Sequence, residues 1–236
     1  MENDLVINKY EVALFPKDFS TSDFNSLLEE IKKSLVMFAD GFNTVIPVPL
    51  DAPREIPRIL LRSKDNVIAC NISLEKVNIS WFNRKEIPGF TKSITEINSD
   101  IEKLSEILLL HTPTRRMKRV GYIKEYYLVS ENPVEVLPNS NIGSKVKENL
   151  REFIFQLTYD FSMSMYSNCN KVIILGKGKK QTGEKENVLM LTSDINTLQT
   201  KDVSWTTEDI KKFITEADKN SNKNDLYELF LKQDES

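Results

Sequence analysis

The chain has 236 residues, 40% of them hydrophobic and 28% charged, which supplies enough apolar surface for a packed core and lies far from the composition of a disordered chain. Its 32 basic against 35 acidic residues leave a formal charge of -3, so no global positive field draws it to nucleic acid or anionic lipid, and any such contact has to be local. Only two cysteines, Cys70 and Cys169, are present, which argues against a disulfide-stapled scaffold and for reduced, buried packing residues.

The opening stretch MENDLVINKY carries acidic residues where a signal peptide would be basic, and no apolar segment follows it. The most apolar run, Ile101 to Leu110, is broken by Glu102, Lys103, Ser105 and Glu106, far short of the about 20 apolar residues a membrane helix needs. A cytoplasmic protein without a membrane span is expected.

The first strand signal is Tyr10, Val12 and Leu14 alternating with Lys9, Glu11 and Ala13, stopped by Pro16. Phe24, Leu27, Leu28, Ile31, Leu35 and Phe38 then recur at helical spacing, with N-caps offered by Ser20 to Asp23 and a stop at Gly41. Pro47, Pro49, Pro53 and Pro57 make Val45 to Pro57 an irregular surface loop. The runs Arg58 to Arg62, Val67 to Ile72 and Val77 to Phe82 read as an antiparallel meander. A capping box at Ser93 and Glu96 opens a helix bearing Ile94, Ile97, Ile101, Leu104, Ile107 and Leu108, which Pro113 closes.

Arg119 to Ser130 reads as a long strand, with Val120, Tyr122, Tyr126 and Leu128 on one face. Val146, Leu150, Phe153, Ile154, Leu157, Phe161 and Met165 predict a third helix. Lys171 to Leu175 and Asn187 to Leu191 are strands around a glycine- and lysine-rich hairpin, Gly176 to Glu186. Thr206 or Thr207 caps a helix with Ile210, Phe213, Ile214 and Ala217, and Leu226, Leu229 and Phe230 form a short, detachable apolar stripe after it.

Strands in meandering groups, without strict βαβ alternation, predict an α+β fold with a mainly antiparallel sheet packed by about four principal helices. The chain reads as a single α+β domain over 1–236, with two closely packed halves, 1–114 and 115–236, as the alternative; no sequence repeat supports a duplication.

No constellation of residues announces catalysis. Gly176 to Gly183 lacks the order of a phosphate-binding loop, because it runs into another strand instead of opening a helix. His111, the only histidine, sits where a helix C-terminus favours a capping imidazole. Neither cysteine has a base beside it in sequence, and no metal or cofactor motif appears. Asp194, inside the apolar run Val188 to Ile195, reads as the end or exposed face of a strand. The distinctive local charge is Arg115, Arg116, Lys118, Arg119 and Lys124, interleaved with Tyr122, Tyr126 and Tyr127, which could track a phosphate backbone and stack bases; a solvated loop is the plainer reading.

Phe15-Pro16, the meander Arg58 to Phe82 and the run Leu189 to Asn196 before a capped C-terminal helix resemble a sporadically distributed, uncharacterised bacterial protein family of about this length. That resemblance implies a setting in mobile-element or antiviral defence neighbourhoods and brings no established activity. The expected function is a non-catalytic protein-binding or regulatory protein without a cofactor, engaging a protein partner or itself through the proline loop, the lysine-rich hairpin and the C-terminal stripe. Two alternatives stand beside it: nucleic-acid binding through Arg115 to Tyr127, and a metal-dependent hydrolase or nuclease without a recognisable motif.

Overall fold

A computed structural model of the chain describes residues 5–21, 23–49, 51–83, 92–137, 151–164, 166–179, 187–198 and 204–230. The strands are β1 (Val6–Pro16), β2 (Asn43–Val45), β3 (Ile59–Arg62), β4 (Ile68–Ile72), β5 (Val77–Phe82), β6 (Met117–Val129), β7 (Ile154–Met163), β8 (Tyr166–Lys179) and β9 (Asn187–Thr197). Among the described residues the helices are α1 (Phe24–Ser34), α2 (Ile94–Leu110), α3 (Thr207–Lys219) and α4 (Lys223–Phe230). The α+β prediction holds: all nine strands join one sheet in the order β2-β3-β4-β5-β1-β6-β9-β8-β7, every neighbouring pair antiparallel.

The order reads alike in both directions from the central β1–β6 pair. Outwards on one side lie β5, β4 and β3, and on the other β9, β8 and β7. Each side is a long strand, a three-stranded meander and a helix, α2 after β5 and α3 after β9. One difference breaks the correspondence: β2 pairs with the outer edge of β3 through Asn43↔Leu61, Thr44↔Leu60 and Val45↔Ile59, whereas β7 ends the sheet.

Alternation along the strands sets two faces. Val12 and Leu14 of β1, Ile79 and Trp81 of β5, Cys70 and Ile72 of β4, and Val120 and Tyr122 of β6 join one buried cluster with Leu27 and Ile31 of α1, Ile101 and Leu104 of α2, and Phe213 and Ile214 of α3. A second cluster continues on the same face with Tyr126, Leu128, Ile173, Leu175, Leu189 and Leu191, capped by Leu226 of α4. All four described helices therefore cover the same face, and of the predicted stripe at α4 Leu226 is packed into the core at 1% exposed while Leu229 is 48% exposed.

The local signals explain the helices. Ser93 and Glu96 form the expected capping box of α2, and Thr206 with Asp209 forms a second at α3, each satisfying orphan amides of the first turn. Asp23 caps α1 through the Ser26 amide, and the chain then tightens into a short 3-10 turn at Val36–Phe38 before Gly41. Gly41 packs against backbone: a Cβ there would lie 1.7 Å from the Arg62 carbonyl oxygen. Gly41→Ala is expected to cost at least about 2 kcal/mol, read as a lower midpoint in urea, because a backbone neighbour cannot rotate away.

The predicted third helix is corrected. Ile154–Met163 is β7, paired with β8 from Ile154↔Gly176 to Met163↔Tyr166. Phe155, Leu157, Tyr159, Phe161 and Met163 alternate with Gln156, Thr158, Asp160 and Ser162. This period of two, in residues that favour strands, prevails over the sparser helical spacing drawn through Ile154, Leu157 and Phe161. Val146, Leu150 and Met165 of that prediction lie outside the described residues. The lysine-rich hairpin is shorter than expected, because β8 runs on through Gly176 to Lys179; residues 180–186 are likewise outside the described residues. The proline loop is tied to the body of the fold, with the buried Arg58 guanidinium donating to the Pro49 and Ala52 carbonyls and Arg54 to those of Phe19 and Leu74.

Candidate functional site: the open face of the sheet

No described helix packs on the sheet face opposite α1 to α4. The register brings its side chains into cross-strand rows. One row runs Asn71, Asn78, Ala13, Gly121, Asn196, Asn170 and Asp160 from β4 to β7. The next runs Arg62, Ala69, Ser80, Glu11, Ile123, Asp194, Val172 and Thr158 from β3 to β7. A third runs Phe82, Lys9, Glu125, Thr192, Ile174 and Gln156. Small residues, Ala69, Ser80, Ala13 and Gly121, make a shallow floor between longer side chains, and Ile123, Val172 and Ile174 make a half-exposed apolar strip. Towards one end of the face, Tyr127 and Val188 are buried.

The charged and amide groups on this face are largely paired with one another. Glu11 accepts from Lys9 Nζ at 3.2 Å and from Ser80 Oγ at 2.9 Å. Arg62 donates to Asn71 Oδ1 at 3.0 Å, Asn8 donates to Glu125, and Asn196 donates to Asp194. Arg119 lies 5.0 Å from the centre of the Phe15 ring. Two buried polar atoms on the face, Asn78 Oδ1 and Arg119 Nε, have no partner among the described residues. A Cβ at Gly121 would lie 2.5 Å from Asn196 Oδ1, so a larger residue there would make the Asn196 amide turn aside.

Asp194 sits within β9, half-buried on this face, opposite Ile123 and Val172. Burial pushes its carboxyl above the ordinary value, the Asn196 hydrogen bond and the Arg119 charge oppose that, and the Glu11 charge adds to it. It is therefore on a strand face, as expected, but it does not end the strand.

The five basic residues do not form one surface. Arg115, at a positive φ of 50°, and Arg116, whose guanidinium donates to Ser204, are exposed at the turn between α2 and β6. Lys118 pairs with Glu75 at 3.6 Å, and Arg119 faces the open side of the sheet. Lys124 is buried on the helix side, because it shares the parity of Tyr122 and Tyr126. Tyr122, Tyr126 and Tyr127 are all at most 3% exposed, so none presents a ring for base stacking.

Lys124 belongs instead to a polar latch beneath the corner between α3 and α4. Its Nζ lies 2.7 Å from Asp218 Oδ1, which also accepts from Tyr122 Oη at 2.6 Å. Tyr126 Oη donates to the Ser221 carbonyl at 2.7 Å, Lys171 Nζ to the Asn220 carbonyl at 2.6 Å, and Ser193 Oγ meets Ser221 Oγ at 2.9 Å. Lys124 stands over the rings of Tyr10 and Tyr126, and Lys171 over that of Phe161. Burial lowers the Lys171 ammonium below its usual range, with Asp225 partly opposing it. Every member of this network is spent on fixing helices to the sheet.

His111 is the C-cap residue of α2 through its backbone amide, but its imidazole does not cap the helix carbonyls: the ring packs against Phe19 with Nε2 3.3 Å from Glu30 Oε2. Cys70 and Cys169 are free, buried thiols, pushed up by burial to about 12 and about 11 respectively. Among the described residues no group of three or more His, Cys, Asp or Glu side chains could hold a metal ion, and no helix is long and apolar enough to cross a membrane.

No family model, curated protein or solved structure matches this chain.

Proposed function

We propose that this is a non-catalytic binding protein that receives a protein partner on the open face of its sheet, in the mobile-element or defence setting that the family resemblance implies. The observation that carries this reading is the composition of that face: an apolar strip, Ile123, Val172 and Ile174, beside charges and amides most of which pair with one another. A protein interface combines an apolar centre with satisfied polar neighbours in this way, and a preordered surface loses little side-chain entropy on docking.

The test is purification of the tagged protein from its own host, with Val172→Glu and Ile174→Glu on the open face and Leu110→Glu at the exposed end of α2 as control. A stoichiometric partner is expected with the wild type and with Leu110→Glu, and at least tenfold less of it with either face variant. Equal recovery with all four proteins would refute the assignment of the face. A salt-sensitive gel shift abolished by replacing Arg115, Arg116 and Arg119 with Ser would favour nucleic-acid binding instead, and metal-dependent turnover lost in Asp194→Asn would favour a hydrolase.

A further inference from the structure

The edge strand β7 ends the sheet. Nine of its ten residues pair with β8, all on one side, and no described residue bonds to the other. The phase of the ladder follows from the Lys177 amide donating to the Phe153 carbonyl. Hydrogen-bonded pairs alternate along an antiparallel ladder, so Phe155, Leu157 and Tyr159 turn their backbone groups to β8, while Ile154, Gln156, Thr158 and Asp160 turn theirs outward. Ile154, Leu157 and Tyr159 are 76%, 42% and 41% exposed.

Natural edge strands are usually blunted by lysine, proline, a bulge or a covering segment. Over Ile154–Asp160 the strand has no lysine and no proline, and its one register shift lies beyond, between Phe161 and Met163. The corresponding strand of the other half, β3, is covered by the antiparallel strand β2. The β7 edge has the same requirement and no described segment that meets it.

We propose that β7 pairs with β7 of a second copy of this chain, antiparallel, about a two-fold axis at Leu157, joining two nine-stranded sheets into one. Self-complementarity identifies the occupant. Centring the axis on Leu157 sets Ile154 opposite Asp160 and Gln156 opposite Thr158, so all four outward-facing residues exchange backbone hydrogen bonds. On the helix side it sets Phe155 opposite Tyr159, a favourable aromatic cross-strand pair, and Leu157 opposite its own copy. Asp160, the only charged residue of the strand, meets no like charge. The contact uses the edge of the sheet and leaves its open face free, so it stands apart from the binding reading above.

Light scattering coupled to gel filtration, on the full chain at tens of micromolar, is expected to give twice the 27.2 kDa chain mass. Thr158→Pro removes an outward amide without touching β8, and Leu157→Lys places two ammonium groups at the axis; both are expected to be monomeric with unchanged circular dichroism. The register is tested by cysteine. Opposed residues at a non-hydrogen-bonded site have Cα atoms about 4.5 Å apart, within disulfide reach, so Leu157→Cys should cross-link on mild oxidation and Thr158→Cys should not. Cys70 and Cys169 are buried and supply little background. A monomeric wild type, a dimer unaffected by Thr158→Pro and Leu157→Lys, or a dimer in which Leu157→Cys fails to cross-link would each overturn the proposal.

Discussion

Asp218→Ala is expected to destabilise the protein by about 2–4 kcal/mol, because it strands a buried lysine. Lys124 is 7% exposed, its counter-charge is Asp218 at 2.7 Å, and Tyr122 loses its acceptor in the same step. Removing one partner of a buried pair leaves a desolvated charge, which costs more than the pair itself contributes; the partial exposure of Asp218 keeps the estimate below the upper range for such pairs. Two companions identify the cause. Asp218→Asn keeps an acceptor for the tyrosine and should lose less, and Lys124→Met with Asp218→Leu, which removes both charges, should recover most of the stability. Urea titration with matched slopes checks all three. If Asp218→Ala changed the midpoint no more than Lys212→Ala, an exposed helix position, the latch would contribute nothing.

The second large effect is alkaline unfolding. Burial raises the phenols of Tyr122 and Tyr126, and the charge of Asp218 adds to both; Tyr10 is pushed up to about 12 by the same two causes. A group whose pKa is raised by folding stabilises the native state below its unfolded pKa, near 10 for tyrosine, and that contribution is lost as pH rises beyond it. Tyr122 and Tyr126 together should remove about 3 kcal/mol for each pH unit above about 10, where only the unfolded chain ionises. Lys171 acts oppositely, since its lowered pKa makes stability rise with pH up to the ordinary lysine value, but it is a single group against two phenols. Tyrosinate absorbance and circular dichroism should change together in one cooperative transition between about pH 10 and 12. Tyr159 is 41% exposed and ionises without unfolding, so it is the ionisation of all seven tyrosines with intact circular dichroism that would contradict the burial of Tyr122 and Tyr126.

Much of the fold was legible where signals are local. The alternation in β1, the meander from β3 to β5 and the Ser93–Glu96 capping box each depend on residues close in the chain. The burial of Lys124 is legible too, since it falls on the same parity as Val120, Tyr122, Tyr126 and Leu128, although a lysine ordinarily favours solvent. At β7 both periods are present, and the helical one passes over Phe155 and Tyr159, which fit only the period of two. The open face was beyond reach for a different reason. Asn78, Ala13, Gly121 and Asn196 become neighbours only through strand pairings between distant segments, and a shift of one residue in any register would send half of them to the core. The same holds for the latch, which joins Lys124 to an aspartate on a helix near the other end of the chain.

The central β1–β6 pair also bears on how the protein comes to be made. β1 finds β5 within the first half, but its other edge waits for β6, which leaves the ribosome about a hundred residues after it. Until then a nascent chain with α1, α2 and the first meander in place displays an unsealed strand from Val6 to Pro16. That interval is when the chain is most exposed to aggregation, and the slow step of folding should be the long-range closure of β6 onto β1.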